Sequence, residues 1–343
     1  MNGAAPKTPR PGDCVDRGAR TLSGGPLIKA RHRSRILPEF SSTIPPLLRK
    51  SNAVLGLEGP ALGIALALLS MTVVSVVPVA AKLALDAGSN ALTVVALRAA
   101  IAGALIAALI AVTGKGFRTR APVLKWCAVA GLFNTVMSYG LIGSVAYIPV
   151  SLMVPIFFTH PVLLAGFEYW RGREGLSPRK LALAAVILLG LTIVLGPSLS
   201  TLHPFGVGLA AIAALGACGT ILFSAKAQEG ASSELVSLYM TTITVVILAI
   251  VTTLAGGWSV PRTAYGWIGV FGAGSGLAVG LLAFFAAFRY IGPIRATMIN
   301  NLSPLLTVLF AVSLLGENLE LWQWIGASLV VIALLLFELP QRR

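Results

Sequence analysis

Arg98 stands inside the apolar run 90–113, and that run holds no acidic residue to pair with it. A guanidinium stays charged, and at hydrocarbon depth it costs at least about 2.5–3.5 kcal/mol unless it faces protein or water. It is either a counter-charge for substrate in the outer half of a cavity or a structural group, in a helix-packing ion pair or hydrogen-bonded to carbonyls of a broken neighbouring helix. His160 directly precedes Pro161 in a second apolar run, which also contains Pro155. Proline removes a backbone donor and bends a helix. An imidazole at such a break can ligate substrate, exchange a proton near its ordinary pKa of about 6.5, or hydrogen-bond a neighbouring helix. Asn300 and Asn301 precede Pro304 in a third run. Adjacent helical residues point about 100° apart, so one amide can face a cavity while the other packs. Asn134, Thr135, Ser138 and Tyr139 make a polar patch in a fourth run, where hydroxyls also serve as interhelical glue. These groups bind; no acid/base pair or activated nucleophile stands among them. Arg98, His160, Asn300, Asn301, Asn134 and Tyr139 form the candidate substrate-binding set, with no catalytic residue.

Metal and cofactor chemistry is not expected. The cysteines at 14, 127 and 218 and the histidines at 32, 160 and 203 are scattered, without paired ligand spacing. The string GAGSG at 272–276 lacks the preceding strand and the following Lys-Ser/Thr of a phosphate loop. Gly272, Gly276 and Gly280 instead recur every fourth residue, a spacing that opens a groove for close helix approach.

The elements that hold these residues follow from composition. Hydrophobic residues make up 56% of the 343-residue chain and charged residues 11%, where a soluble domain carries about 25% charged residues. Lipid is the solvent for most of this chain. The apolar runs are long and without alternation, so they are helices and not strands of a barrel. Ten spans are expected, at 60–83, 90–113, 122–144, 148–169, 180–198, 205–226, 233–254, 266–288, 293–315 and 322–339. Residues 1–58 carry 10 of the 26 Lys and Arg and no spanning run. Their composition reads as a disordered basic cytoplasmic tail; an Arg-rich targeting segment or a misassigned start are the alternatives. The tail interleaves no aromatics with its charges, so nucleic acid is not an expected partner.

Lys and Arg in the loops orient the chain. Outside the tail, 13 fall on the side shared with the N-terminus and two, Lys82 and Arg262, on the other. Both termini are therefore expected in the cytoplasm, and the protein in the cell membrane. Trp126, Trp170, Trp258, Trp267, Trp322 and Trp324 lie near span ends, as interfacial anchors do. Glu174 and Glu317, also at span ends, suit helix starts, where a carboxylate opposes the positive dipole end.

An internal repeat organises the whole. Shifting the chain by 143 residues lays Tyr147-Ile148 on Tyr290-Ile291, Pro161 on Pro304 and Glu174 on Glu317. Each copy, 59–198 and 199–339, holds five spans, with 340–343 as a cytoplasmic C-terminus. An odd span count makes the second copy enter from the opposite side, so the fold class is an all-α membrane protein of ten transmembrane helices in two inverted five-helix repeats. Secondary transporters are built this way, with substrate bound near the midplane between halves.

The motifs Tyr147-Ile148-Pro149, Pro161 and Arg173-Glu174, with their mates Tyr290-Ile291-Gly292, Pro304 and Gly316-Glu317, resemble the drug/metabolite transporter superfamily, EamA type. Arg98 matches a position where that family tends to place Arg. The resemblance covers about 60–340 and implies a carrier of small organic metabolites. The expected function is export of such a metabolite, an amino acid or related carboxylate, by alternating access. The expected partners are that substrate and the bilayer, in a monomer or homodimer. A membrane enzyme acting on lipid-linked substrates is the alternative, but it would need a His/Asp/Glu cluster near an interface. A channel-like facilitator would need charge rings or carbonyl filters.

A reporter fused after Arg343 is expected to report the cytoplasm, and one inserted near Glu320 the outside. Finding both on one side refutes the inverted arrangement.

Overall fold

The structure is a computed structural model that describes residues 59–114, 116–172, 178–195, 203–255 and 257–338. The 1–58 tail, residues 340–343 and Glu174 lie outside the described residues. Among the described residues eleven helices follow one another: α1 (Pro60–Asp86), α2 (Ala91–Val112), α3 (Ala121–Val145), α4 (Val150–Phe157), α5 (His160–Trp170), α6 (Pro178–Leu195), α7 (Pro204–Gln228), α8 (Ser233–Leu254), α9 (Ala264–Asn300), α10 (Ser303–Leu315) and α11 (Leu321–Glu338). Nine stretches of the described residues are long and apolar enough to cross a membrane, and Leu321–Phe337 is a shorter apolar helix. The chain is an all-helical membrane protein, as its composition demands.

Local chemistry sets the boundaries. Pro60, Pro122 and Pro204 open α1, α3 and α7 at positions where a missing N–H costs nothing. The Asn90 side chain caps α2 by accepting the Thr93 N–H at 2.8 Å, and Thr263 caps α9 by accepting from Gly266 N at 3.2 Å.

The span expected at 148–169 is two helices. α4 stops at Phe157, two residues turn, and α5 starts at His160. Pro161 has no N–H to bond the Phe157 carbonyl four residues back, and its ring crowds that carbonyl. The second copy breaks in the same register: α9 ends at Asn300 and α10 starts at Ser303, one residue before Pro304. Residues 157 and 160 map on 300 and 303 under the 143-residue shift. α9 also turns at Gly292, whose φ of 77° only glycine adopts without strain.

Packing follows the same twofold logic. α1 lies along α9 and α3 along α7, which are equivalent pairs when the copies exchange; α2 meets α8, and α6 meets α11. The repeated Tyr-Ile motif has a packing role. A Cβ on Gly63 of α1 would meet Tyr290 Cβ at 2.6 Å, and one on Gly206 of α7 would meet Tyr147 Cβ at 2.8 Å. Each Tyr-Ile therefore seats on a glycine of the opposite copy's first helix, and 63 and 206 are themselves 143 apart. Gly276 and Gly280 receive Val73, Val77 and Val74 of α1, so the groove expected from their spacing is filled by a helix. Gly190 and Gly326 form the α6–α11 crossing, each with the other's carbonyl within 3.0 Å of a Cβ placed on it. These two glycines are 136 and not 143 residues apart, because Gly190 stands twelve residues after the start of α6 and Gly326 five after the start of α11.

The tryptophan expectation needs one correction. Trp126, Trp170, Trp258, Trp267 and Trp322 are exposed to the surroundings, as belt residues are. Trp324 is half-buried and packs toward Val308 and the α4–α10 core. It fills a helix contact instead of marking the interface.

The close approaches make a discriminating pair of variants. A Cβ at Gly216 would stand 2.7 Å from Met137 N and 2.9 Å from Met137 Cα, whereas one at Gly208 of the same helix meets nothing within 4 Å. Gly216→Ala is expected to cost about 1–3 kcal/mol by forcing α3 and α7 apart. Thermal unfolding in detergent should show a lowered midpoint for Gly216→Ala and an unchanged one for Gly208→Ala; equal midpoints would refute the packing argument.

Candidate functional site

In lipid, each backbone group released by a helix break must find another partner. At the first break His160 supplies one itself. Its Nδ1 lies 3.0 Å from the Phe157 carbonyl, the acceptor that Pro161 leaves without its helical donor. For that bond Nδ1 must carry the proton, which leaves Nε2 as the nitrogen that can gain or lose one. Thr159 Oγ1 donates to Ile156 O at 2.7 Å, and Cys218 Sγ of α7 donates to His160 O at 3.3 Å. Phe157 and Phe158 flank the imidazole with ring centroids 5.0 and 5.7 Å away. His160 thus serves its own helix break, where the sequence left open a bond to a neighbouring helix.

The second break is held by hydroxyls. Ser75 Oγ of α1 shares its proton between Met71 O of its own helix at 2.6 Å and Ser303 O at 3.0 Å and lies 2.9 Å from Ser303 Oγ, and Thr307 Oγ1 donates to Ser303 O at 2.9 Å. Position 75 maps on 218 and 303 on 160, so both breaks are tethered at the carbonyl before the proline by the copy-exchanged first helix. Asn300 sits just before this break, half-buried, with its Oδ1 3.4 Å from Ser70 Oγ. Ser70 Oγ also donates to Gly280 O at 2.8 Å, tying α1 to α9. Asn301 ends α9 and donates its N–H to Thr297 O at 2.9 Å. Pro155 and Phe158 of the first break line one apolar depression with Pro304 and Leu305 of the second, under Trp324 of α11. The two breaks therefore face each other.

Asn134 belongs to a different seam. Its Nδ2 donates to Thr244 Oγ1 of α8 at 2.9 Å, and Thr135 Oγ1 lies 3.2 Å from the same hydroxyl. Tyr139, on the same helix, is half-buried, its ring near Gly143.

Arg98 is 4% exposed in α2, and its backbone carbonyl lies where a Cβ on Gly274 would come within 2.9 Å. Its Nε is buried without a hydrogen-bond partner, and no ion pair joins it to an acid among the described residues. It is a buried charge in the helix bundle without a counter-ion among the described residues.

No hydrogen bond among the described residues joins any of Arg98, His160, Asn300, Asn134 and Tyr139 to another of the five. They are distributed over the two helix breaks, the α3–α8 seam and α2. The sequence reading did not find Ser70, Ser75, Ser303, Thr244 and Cys218. Serine and threonine are common in membrane helices, and only the 143-residue register applied to the residues beside Pro161 and Pro304 could have singled out the 75–303 and 218–160 pairs. Among the described residues no three His, Cys, Asp or Glu gather to hold a metal ion.

Comparison with known proteins agrees with this architecture. The EamA-like transporter family matches residues 61–196 and again 204–339. An uncharacterized transporter in the cobO 3' region of Sinorhizobium sp. is 31% identical over 129 residues, which are 37% of this chain and 89% of that protein. A solved crystal structure superimposes with a TM-score of 0.57 at 19% identity, covering 80% of this chain and 96% of that one, a likeness of fold. With both five-helix copies matched, the chain belongs to the EamA-like transporter family.

Proposed function

We propose that this membrane transporter is a secondary carrier exporting a small carboxylate-bearing metabolite, such as an amino acid or related acid, by alternating access between its two halves. The observation that carries the reading is Arg98, a buried guanidinium whose Nε has no partner and which forms no ion pair with a described acid. A charge inside a helix bundle needs compensation, and a substrate carboxylate supplies it with two acceptor oxygens that match the guanidinium fork. Asn300, Asn301, Asn134 and Tyr139 supply neutral hydrogen-bonding groups on α9, α3 and the turn after α9. His160 holds the first break through Nδ1 and offers Nε2 for a proton. Export places the carrier in the cell membrane, and the bias of Lys and Arg in the loops supports both termini in the cytoplasm.

Counterflow in proteoliposomes across a panel of radiolabelled amino acids, hydroxy acids and their amide analogues tests the reading. Uptake should be saturable and trans-stimulated for a carboxylate and absent for its amide. Arg98→Gln should lower that uptake about tenfold or more, the weight of one charge-assisted bond, and Arg98→Lys should fall between. A substrate without a carboxylate, carried equally by wild type and Arg98→Gln, refutes the assignment.

Coupling is tested at His160 with asparagine, whose Nδ2 stands where Nδ1 does, keeps an N–H donor for the Phe157 carbonyl and removes the titrating nitrogen. His160→Asn should retain downhill counterflow and lose acceleration by a pH gradient. Retained acceleration removes His160 from the coupling path.

A further inference from the structure

Loop residues join the two copies on the face expected outside. Among the described residues, six hydrogen bonds there run from one copy to the other. Asn90 Nδ2 donates to Gly257 O at 3.2 Å, Ser259 N to Thr93 Oγ1 at 3.0 Å, Ser259 Oγ to Gly88 O at 2.7 Å and Arg262 N to Ala87 O at 3.0 Å. These four join the α1–α2 loop to the α8–α9 loop. Glu317, in the α10–α11 loop, accepts the remaining two: Val150 N at 2.7 Å on one carboxylate oxygen and Ser151 N at 2.9 Å on the other. On the opposite face Tyr239 Oη donates to Phe117 O at 2.7 Å and Arg179 Nη2 donates to Leu336 O at 3.2 Å.

Glu317 differs from the other links. It is a carboxylate set on the first turn of α4, where two unpaired N–H groups and the positive helix end concentrate. Gly316, at φ 68°, ends α10 in a left-handed turn that carries the chain from α10 to Glu317. The helix it caps is the one that stops at the first midplane break. A helix that ends in mid-membrane can tilt as a short rigid rod, so its outer end is where it can be held.

We propose that the α1–α2/α8–α9 and α3–α4/α10–α11 loop pairs are the outer gate of this carrier, and that Glu317 is its latch, fixing α4 against the second copy while the outer face is shut. The assignment rests on the transporter reading but not on the substrate. Glu317 acts as a positioning residue: it holds α4, and through α4 the first break, without touching substrate. Releasing it therefore loosens the other loop pair too, because the two clasps close the same face between the same two halves.

The test is a cross-link at the clasp that Glu317 does not touch. In a background lacking Cys14, Cys127 and Cys218, the pair Thr93→Cys and Ser259→Cys is oxidised in nanodiscs, and the rate of disulfide formation is followed by gel mobility. The pair should cross-link rapidly with Glu317 intact and about tenfold more slowly with Glu317→Ala, the population shift that losing a charge-assisted bond supports. Glu317→Gln, which keeps one acceptor oxygen, should fall between, and it serves in place of alanine if that variant does not fold. An unchanged rate in both variants overturns the latch.

A second arm uses the oxidised pair in the counterflow assay with the radiolabelled carboxylates. Exchange should stop on oxidation and return on reduction; undiminished exchange through the cross-linked protein overturns the gate. If no carboxylate is exchanged by the uncross-linked protein while the cross-linking rate still depends on Glu317, the substrate reading falls and the latch stands.

Discussion

Hydrocarbon offers no water to an unpaired peptide group, and this constraint governs where the helices of this protein can stop. Two of them stop in mid-membrane, and both stops are built around a proline that withholds its N–H. Each break persists because side chains take over what the helix gave up. His160 Nδ1 and Thr159 Oγ1 serve carbonyls on the first, while Ser75 and Thr307 serve Ser303 O on the second. The half-helix before the first break, α4, is buried over Val150–Ile156 and packs against α10, whereas α5 beyond the break carries no buried residue.

Close packing then makes the twofold relation visible residue by residue. Where two backbones approach within glycine distance, only certain registers fit, so both copies keep the same solution. Gly63 against Tyr290 and Gly206 against Tyr147 are one contact written twice. Elsewhere the copies have diverged, because lipid-facing positions need only be apolar. The interior polar positions diverged as well: Phe157 faces Asn300 in the alignment, and Ala213 faces Ser70. An inverted repeat that shared every side chain would present the same chemistry to both sides; this one does not.

The fold was legible in the sequence because length and apolarity decide it. The helix breaks were legible through Pro161 and Pro304, and the repeat through a handful of residues in one register; Pro155, expected to add a second break in the same span, lies inside α4 without breaking it. Azimuth was not. These helices are apolar nearly all round, so the sequence of α3 does not say that Asn134 turns toward Thr244 of α8. Nor does the sequence near Glu317 reveal that its carboxylate caps a helix 167 residues away and not its own. A carboxylate at a span end announces a helix start nearby, but which start depends on how the copies interlock. Trp324 was misplaced for the same reason: position along the span put it at the interface, while its rotation about the helix turned it inward.

The two breaks are equivalent in geometry and unequal in chemistry. At one, a serine hydroxyl reaches the carbonyl before the proline at 3.0 Å; at the other, a thiol reaches it at 3.3 Å. A thiol is the weaker donor, so the tether between α7 and the first break is the softer of the two. The first break compensates locally, since His160 bonds back to Phe157 across its own turn, whereas Ser303 shares its hydroxyl with Ser75 on another helix. Thr307 also braces Ser303 O from within α10, so each break keeps one bond inside its own segment and one tether to the first helix of the other copy. The two tethers differ in strength, and the weaker one, the thiol, serves the segment whose outer end Glu317 holds.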